Sequence, residues 1–304
     1  MSLGQLKIIL TAGPDTVPIG LAIIVMGNGP IALCKMCLRV QALQDSHLLP
    51  ASVYRRLQSK HLRDPDNPNP DPVSVSGSRA RQTSKQTTDY LLCSDCEAIL
   101  DRMGEKYVLP LLAGELGFPF YDVLRSSAPE FAEPDFAVYA CAKNPLVDCG
   151  KIAHFALGIF WKAAAHSWVH AGSTVKIELA DYEDGLRRYL LGEQPLSGGL
   201  TLIVLVLPPN APLLSAVAPI QAREPKFDMY WFYVPGIQFC LFAGERTPPE
   251  IAQQCFVRNP FHYVTEDPST VLSLARIFRE SLSTAKVSTR LAAVFARRRQ
   301  RRGQ

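Results

Sequence analysis

The sequence predicts an α+β fold, with a small amino-terminal domain organised around paired cysteines and a larger mixed domain after it. Three observations carry that prediction. Two Cys-x-x-Cys pairs, Cys34-Lys35-Met36-Cys37 and Cys93-Ser94-Asp95-Cys96, lie in the first third of the chain. Beyond them, helical stretches alternate with apolar β-branched runs such as 200–207 (LTLIVLVL), the pattern of a strand buried on both faces. Between the two regions lies 126–134, a connector with two prolines that marks the expected boundary.

A length of 304 residues suits two domains. Hydrophobic residues at 47% and charged residues at 20% leave enough apolar surface for a buried core. A net charge of +4 permits contact with nucleic acid without demanding it. That charge is uneven, because 297–302 holds five arginines, either a phosphate-holding patch or a solvated tail. Four of the eight cysteines (Cys141, Cys149, Cys240 and Cys255) are scattered in apolar surroundings, which with the two pairs suits a reducing cytoplasm better than secretory bridges. Residues 1–30 read as an extension broken by Pro14, Asp15 and Pro18, with Met26 as an alternative start to Met1 and no convincing secretory signal. No membrane span is expected, since the nearest candidate, 152–171, contains His154, Lys162, His166 and His170 and reads as a buried helix.

Taken in order, 31–40 brackets the first cysteine pair as a short hairpin or knuckle, and 51–57 is a short helix. Residues 58–89 turn polar, with prolines at 65, 68, 70 and 72. Such a stretch buries too little apolar surface to offset its ordering entropy, which predicts a mobile insertion inside a first domain spanning 31–125. A helix starts at Ser94, where Ser94 and Glu97 make a capping-box pattern, and it is interrupted near Gly104 and ends by Pro110. In the second domain, 135–304, residues 151–170 are helical, 174–179 extended, 182–191 helical and 200–207 a strand. A strand at 216–222 is confined to a sheet edge by Pro219. Residues 227–234 and 237–242 pair across a Pro235-Gly236 turn. Thr247-Pro248-Pro249-Glu250 opens a helix with its own capping box, and 269–296 closes the chain as a long helix.

The cysteine pairs carry the strongest chemistry. Zinc is commonly held by four thiolates, and a two-residue gap lets a tight turn aim both sulfurs inward, so Cys34, Cys37, Cys93 and Cys96 are the expected ligands of a structural Zn2+. The 55 residues between Cys37 and Cys93 exceed the roughly 15–20 of a zinc ribbon, the excess lying in the polar insertion and the segment around His47. A closed four-thiolate site leaves no open position for substrate, so any catalysis must come from residues beside it.

Cys-x-x-Cys, a histidine about ten residues on, and Cys-x-x-Cys at a helix start together resemble the zinc-stapled HNH endonucleases of the treble-clef type. Ser46-His47-Leu48-Leu49-Pro50 and Leu92-Cys93-Ser94-Asp95-Cys96-Glu97 are similar to an uncharacterised bacterial set with the pattern Ser-His-Ile-Ile-Pro and Leu-Cys-x-x-Cys-Glu, as is the later 155–162 helix. The resemblance covers about residues 31 to 170. It implies a treble-clef-like zinc domain in which His47 is the general base for a water. It also implies a second divalent ion, Mg2+ or Mn2+, held by Glu97 and an acidic residue beside the base. Ser46 stands where that family carries a metal-binding Asp or His, and Asp45 is one residue too early.

Other readings of the same residues stay open. His47 is either that base or a hydrogen-bonded packing residue. Glu97 is either an ion ligand or a helix cap. His166 and His170 stand four apart as a metal pair or as core and surface residues, and 230–233 (YWFY) stacks bases or packs a core. Two functions compete: an HNH-like metal-dependent nuclease acting on DNA or RNA, and a non-catalytic zinc module that binds nucleic acid or protein. In the first, Arg55, Arg56, Arg79, Arg81 and Lys85 would contact phosphates. No phosphate-binding loop, nucleophile elbow or nucleotide-cofactor motif is present in the second domain.

Overall fold

The computed structural model describes residues 29–57, 71–76, 79–114, 116–134, 136–140, 143–170, 173–207, 215–223, 227–245, 247–265, 276 and 279–302. It is an α+β structure built on both sides of one buried helix. The expected amino-terminal extension lies outside the described residues, apart from its last two positions.

The amino-terminal part is a three-stranded antiparallel sheet, β1 (Ile31–Leu33), β2 (Val40–His47) and β5 (Thr88–Cys93), in the order β1-β2-β5. Helix α1 (Ala51–Leu57) follows β2, and α2 (Ser94–Leu100) leaves β5 directly. The predicted helix break at Gly104 is a π-helical segment, Asp101–Glu105, before a short helix α3 (Lys106–Val108) and a 3-10 turn at Leu109–Leu111. Its cause is close packing: a Cβ on Gly104 would lie 2.7 Å from the Phe155 amide nitrogen.

Phe155 belongs to the central helix α5 (Cys149–Ala165), which follows the short α4 (Pro119–Arg125) and is buried at every position from Ile152 to Ala164. A helix that is apolar all round needs cover all round. The π-segment covers one side. On the other lies a seven-stranded sheet, to which Phe160 packs edge-on against Phe232 at 4.9 Å and Phe155 approaches Phe239 at 5.9 Å. That sheet comprises β6 (Phe131–Glu133), β7 (Phe136–Ala140), β10 (Leu200–Val206), β11 (Val217–Arg223), β12 (Asp228–Val234), β13 (Ile237–Ala243) and β14 (Phe261–Thr265), in the order β11-β12-β13-β10-β14-β7-β6. Only β10 and β14 run parallel. The predicted pair across Pro235-Gly236 forms in register from Asp228↔Ala243 to Val234↔Ile237, and β11 with its Pro219 takes the edge. Trp231 and Tyr233 face a second apolar cluster while Tyr230 and Phe232 face the main core, so the YWFY run is sheet packing. One continuous core joins Cys34 and Leu100 to Leu200 and Phe256, so it does not divide at the 126–134 connector.

Several predicted elements differ. Within 58–89, β3 (Val73–Ser76) and β4 (Arg79–Gln82) form a hairpin, because Val75 and Ala80 find apolar partners far along the chain; 58–70 lie outside the described residues. Those partners are Ala285, Val287 and Leu291, and β15 (Lys286–Val287) pairs in parallel with β4. The predicted closing helix is therefore broken there, and α8 (Thr289–Arg302) starts afresh; 266–275 lie outside the described residues. The 151–170 helix ends at Ala165 and the chain turns into β8 (Trp168–His170) and β9 (Ser173–Val175), which removes the helical pairing of His166 with His170. Helix α6 (Tyr182–Leu190) forms as expected. In α7 (Pro249–Ala252) no side chain caps the amino terminus, since the Thr247 hydroxyl donates to the Gly244 carbonyl. Cys149 is disulfide-bonded, whereas Cys240 and Cys255 are buried free thiols. Among the described residues no helix is long and apolar enough to cross a membrane.

Candidate metal centre

The knuckle is a tight turn closed by two backbone bonds, from the Cys34 amide to the Arg39 carbonyl at 2.9 Å and from the Leu38 amide to the Cys34 carbonyl at 2.9 Å. Leu38 takes a left-handed conformation, φ 58°, to complete it. That is uncommon for a residue with a Cβ. The Lys35 amide donates to Leu91, tying the turn to β5 so that its sulfurs face the second pair at the β5–α2 junction. Met36 is fully buried, and Arg187 of α6 donates to its carbonyl at 2.9 Å.

The four sulfurs of Cys34, Cys37, Cys93 and Cys96 lie within 4.8 Å of one another. A tetrahedron with Zn–S bonds of about 2.3 Å puts its sulfurs about 3.8 Å apart; Cys37 Sγ and Cys93 Sγ are 3.9 Å apart. Protonated, four thiols would crowd this space with few acceptors. Ionised together, they would repel. The Cys34 thiol is held down to about 4 by the Cys96 thiol that donates to it, against the opposing effect of burial and helped by nearby backbone amides including that of Cys93, whose nitrogen lies 3.4 Å from Cys34 Sγ. Cys96 is pushed up by that neighbouring sulfur first and by burial second, and Cys93 is pushed up by burial. A divalent cation resolves this conflict by binding all four as thiolates and offsetting half of their combined charge, so the cluster can hold a metal ion such as zinc. At the rim, Arg39 is stabilised in its charged form by Cys37.

Helix α2 begins at Ser94, as predicted, but Cys93 is its N-cap residue and no side chain caps it, so the Ser94–Glu97 capping box does not form. The backbone at Cys93, extended as it turns its sulfur into the cluster, leaves Ser94 inside the helix rather than before it. Glu97 Oε1 is buried with no hydrogen-bond partner among the described residues.

The expected catalytic residues do not form a cluster of three converging ligands. Ser46, buried, accepts from the Leu92 amide at 3.2 Å and belongs to the interior. Its neighbours Asp45 and His47, exposed and half-buried, pair across the sheet with Tyr90 and Thr88. Among the described residues the cysteines are the only group of three or more His, Cys, Asp or Glu whose ligand atoms converge, and Asp45, His47 and Glu97 do not join into another. What the sequence did not single out is Lys162. Its ammonium, almost fully buried, donates to the His47 carbonyl at 2.8 Å and meets Glu105 Oε1 at 3.4 Å, pinning the end of β2 to α5. A lysine inside an otherwise apolar helical run was the available signal.

The predicted phosphate contacts also separate. Arg56 Nη2 donates to the carbonyls of Leu109 and Pro110, at 2.8 and 3.4 Å, and Arg55 to the Ser52 hydroxyl. Arg79, Arg81 and Lys85 lie on or just beyond β4 and form no ion pair with a described residue. His166 Nε2 lies 2.8 Å from Asp89 Oδ2, and His170 Nε2 lies 3.1 Å from the Ser74 hydroxyl. Compared with known protein families, curated proteins and solved structures, the chain gives no match.

Proposed function

We propose that this protein is a zinc-stapled nucleic-acid-binding module without a hydrolytic centre. The observation that carries the reading is the closed cluster of four sulfurs, beside which Asp45, His47 and Glu97 make no second group of converging ligands. Zinc held by four thiolates serves folding rather than substrate activation. The unpaired cations of β4 support a polyanionic partner.

The competing reading is the HNH-like nuclease with His47 as base and Mg2+ or Mn2+ near Asp45 or Glu97. It is favoured by one observation, the Lys162 ammonium that fixes the His47 peptide. One experiment separates the two. Wild-type protein is mixed with plasmid, single-stranded DNA and RNA in Mg2+ or Mn2+, and both retention and cleavage are measured. The proposed reading expects binding without cleavage. Chelator-sensitive cleavage that His47→Ala abolishes, with zinc content and melting temperature unchanged, would establish the nuclease instead.

A further inference from the structure

The small sheet β15-β4-β3 has two unlike faces. Ala80, Val75 and Val287 turn toward α8, where Leu291 and Phe295 cover them. Strand alternation and register therefore place Arg79, Arg81 and Lys286 together on the opposite face, with Lys286 directly beside Arg79 and Ser74 directly across from Arg81. The β8–β9 hairpin borders this face through His170, whose Nε2 lies 3.1 Å from the Ser74 hydroxyl.

Nothing described neutralises these cations. Arg79, Arg81 and Lys286 make no ion pair with a described residue, and Arg81 Nε is buried with no acceptor among the described residues. A buried guanidinium donor left unmade costs free energy that an incoming oxyanion recovers. Asp89, the next carboxylate along the chain, is engaged by His166. Residues 79–88 and 281–304 contain ten basic residues and no acidic one, so the surroundings reinforce the sign. Burial first, and then the charges of Arg81 and Lys85, hold the His170 imidazole below its ordinary value, as expected beside uncompensated positive charge.

We propose that the seam between this sheet face and the β8–β9 hairpin is a binding site for the phosphate backbone of double-stranded nucleic acid, with Arg79, Arg81 and Lys286 as its contacts. This rests on the nucleic-acid-binding reading above and assigns its surface. The side chains described on the sheet face include no Phe, Tyr or Trp ring on which an unpaired base would stack, and the one ring at its border, the His170 imidazole, is engaged with Ser74, so the backbone is what it reads. Two strands distant in sequence build it, which is why the carboxy-terminal segment is required and why Arg55 and Arg56, held elsewhere, contribute nothing.

The test uses the full chain and a labelled 20-base-pair duplex, with affinity followed from about 50 to 200 mM salt. Wild type should bind with a steep salt dependence. Arg79→Ala/Arg81→Ala/Lys286→Ala should bind at least tenfold more weakly, with the salt slope reduced by roughly two to three, since each phosphate contact contributes about 0.9. Zinc content should not change. Because Arg81 is partly buried, Arg79→Ala/Lys286→Ala is measured as well; both side chains are exposed, and it should lose about two thirds of that slope change. Unaltered binding by both variants would place the duplex elsewhere and overturn the site while leaving the function intact. Failure of wild type to bind duplex, single-stranded DNA or RNA would remove the function and the site together. A preference for single strands, or for vesicles containing phosphatidylserine, would overturn the duplex assignment.

Discussion

At the scale of single residues, the metal cluster and the buried Lys162 make the sharpest demands. Cys93 is both a member of the sulfur cluster and the N-cap of α2, so Cys93→Ser should release the metal and unfold the surrounding sheet; elemental analysis is expected to give about one zinc per wild-type chain and none in the variant. Retention of stoichiometric zinc by the variant would remove Cys93 from the ligand set. Lys162→Met keeps the apolar stem and deletes the ammonium, leaving the His47 carbonyl and Glu105 without their partner. Breaking a buried pair costs roughly 3–5 kcal/mol, and Glu105 is partly exposed, so about 2–3 kcal/mol is expected in urea unfolding. Burial holds His154 below its ordinary value, with its bond to Leu190 and the charge of Glu105 opposing. The unfolded chain then takes up a proton near pH 6.5 that the folded chain refuses. The stability this gives is present above about pH 6.5 and is lost as pH falls below it. His170 acts with the same sign. His154→Gln should flatten the fall in unfolding free energy between about pH 7 and 5, and an unchanged slope would assign it to other groups.

Elements were legible where local pattern decides the outcome. The knuckle, α1, α6, β10 and the β12–β13 pair follow from spacing, periodicity and turn residues that lie within a few positions of one another. The β3–β4–β15 sheet was not legible, because a two-residue strand about 200 positions away supplies the partner that makes a polar stretch fold. The position of Cys93 displaced the capping box at Ser94, and a turn into β8 displaced the helical pairing of His166 with His170, so the cysteine cluster was readable from spacing while these details were set by tertiary structure. The π-segment shows how a tertiary contact sets an element that propensity alone would not. Replacing glycine with alanine within a helix ordinarily gains about 1 kcal/mol. At Gly104 the new Cβ would sit 2.7 Å from the Phe155 amide nitrogen and 2.8 Å from its Cα, backbone that cannot swing aside. Gly104→Ala should therefore destabilise by roughly 1–3 kcal/mol, the usual cost of overpacking. Gly198→Ala, with nothing within 4 Å of its added Cβ, is the control, expected to change stability by less than about 0.5 kcal/mol. A stabilised Gly104→Ala would mean that the π-segment and α5 are not in tight contact.

For the whole molecule, the decisive feature is that the cysteine cluster and the large sheet share one core. Cys34, Cys93 and Cys96 belong to the same apolar cluster as Trp161, Trp168 and Phe239, joined through α5. All three tryptophans lie beyond the 126–134 connector, Trp161 on the shared helix α5, Trp168 in β8 and Trp231 in the large sheet, so their fluorescence reports the shared core and the sheet. If the two sides fold as one unit, removing the metal destabilises both. A loss of about 3 kcal/mol should lower the melting midpoint seen by tryptophan emission by roughly 5–10 °C in a chain of this size. The chelated protein should still melt in a single step, and restoring Zn2+ should restore the midpoint. Two separable domains would behave differently: chelation would melt the amino-terminal side early by circular dichroism and leave the tryptophan transition where it was. The β3–β4–β15 sheet with α8 has a small core of its own around Ala80, Ala285 and Leu291. It should accordingly lose amide protection before the shared core does, at a free energy below the global value and with little dependence on zinc.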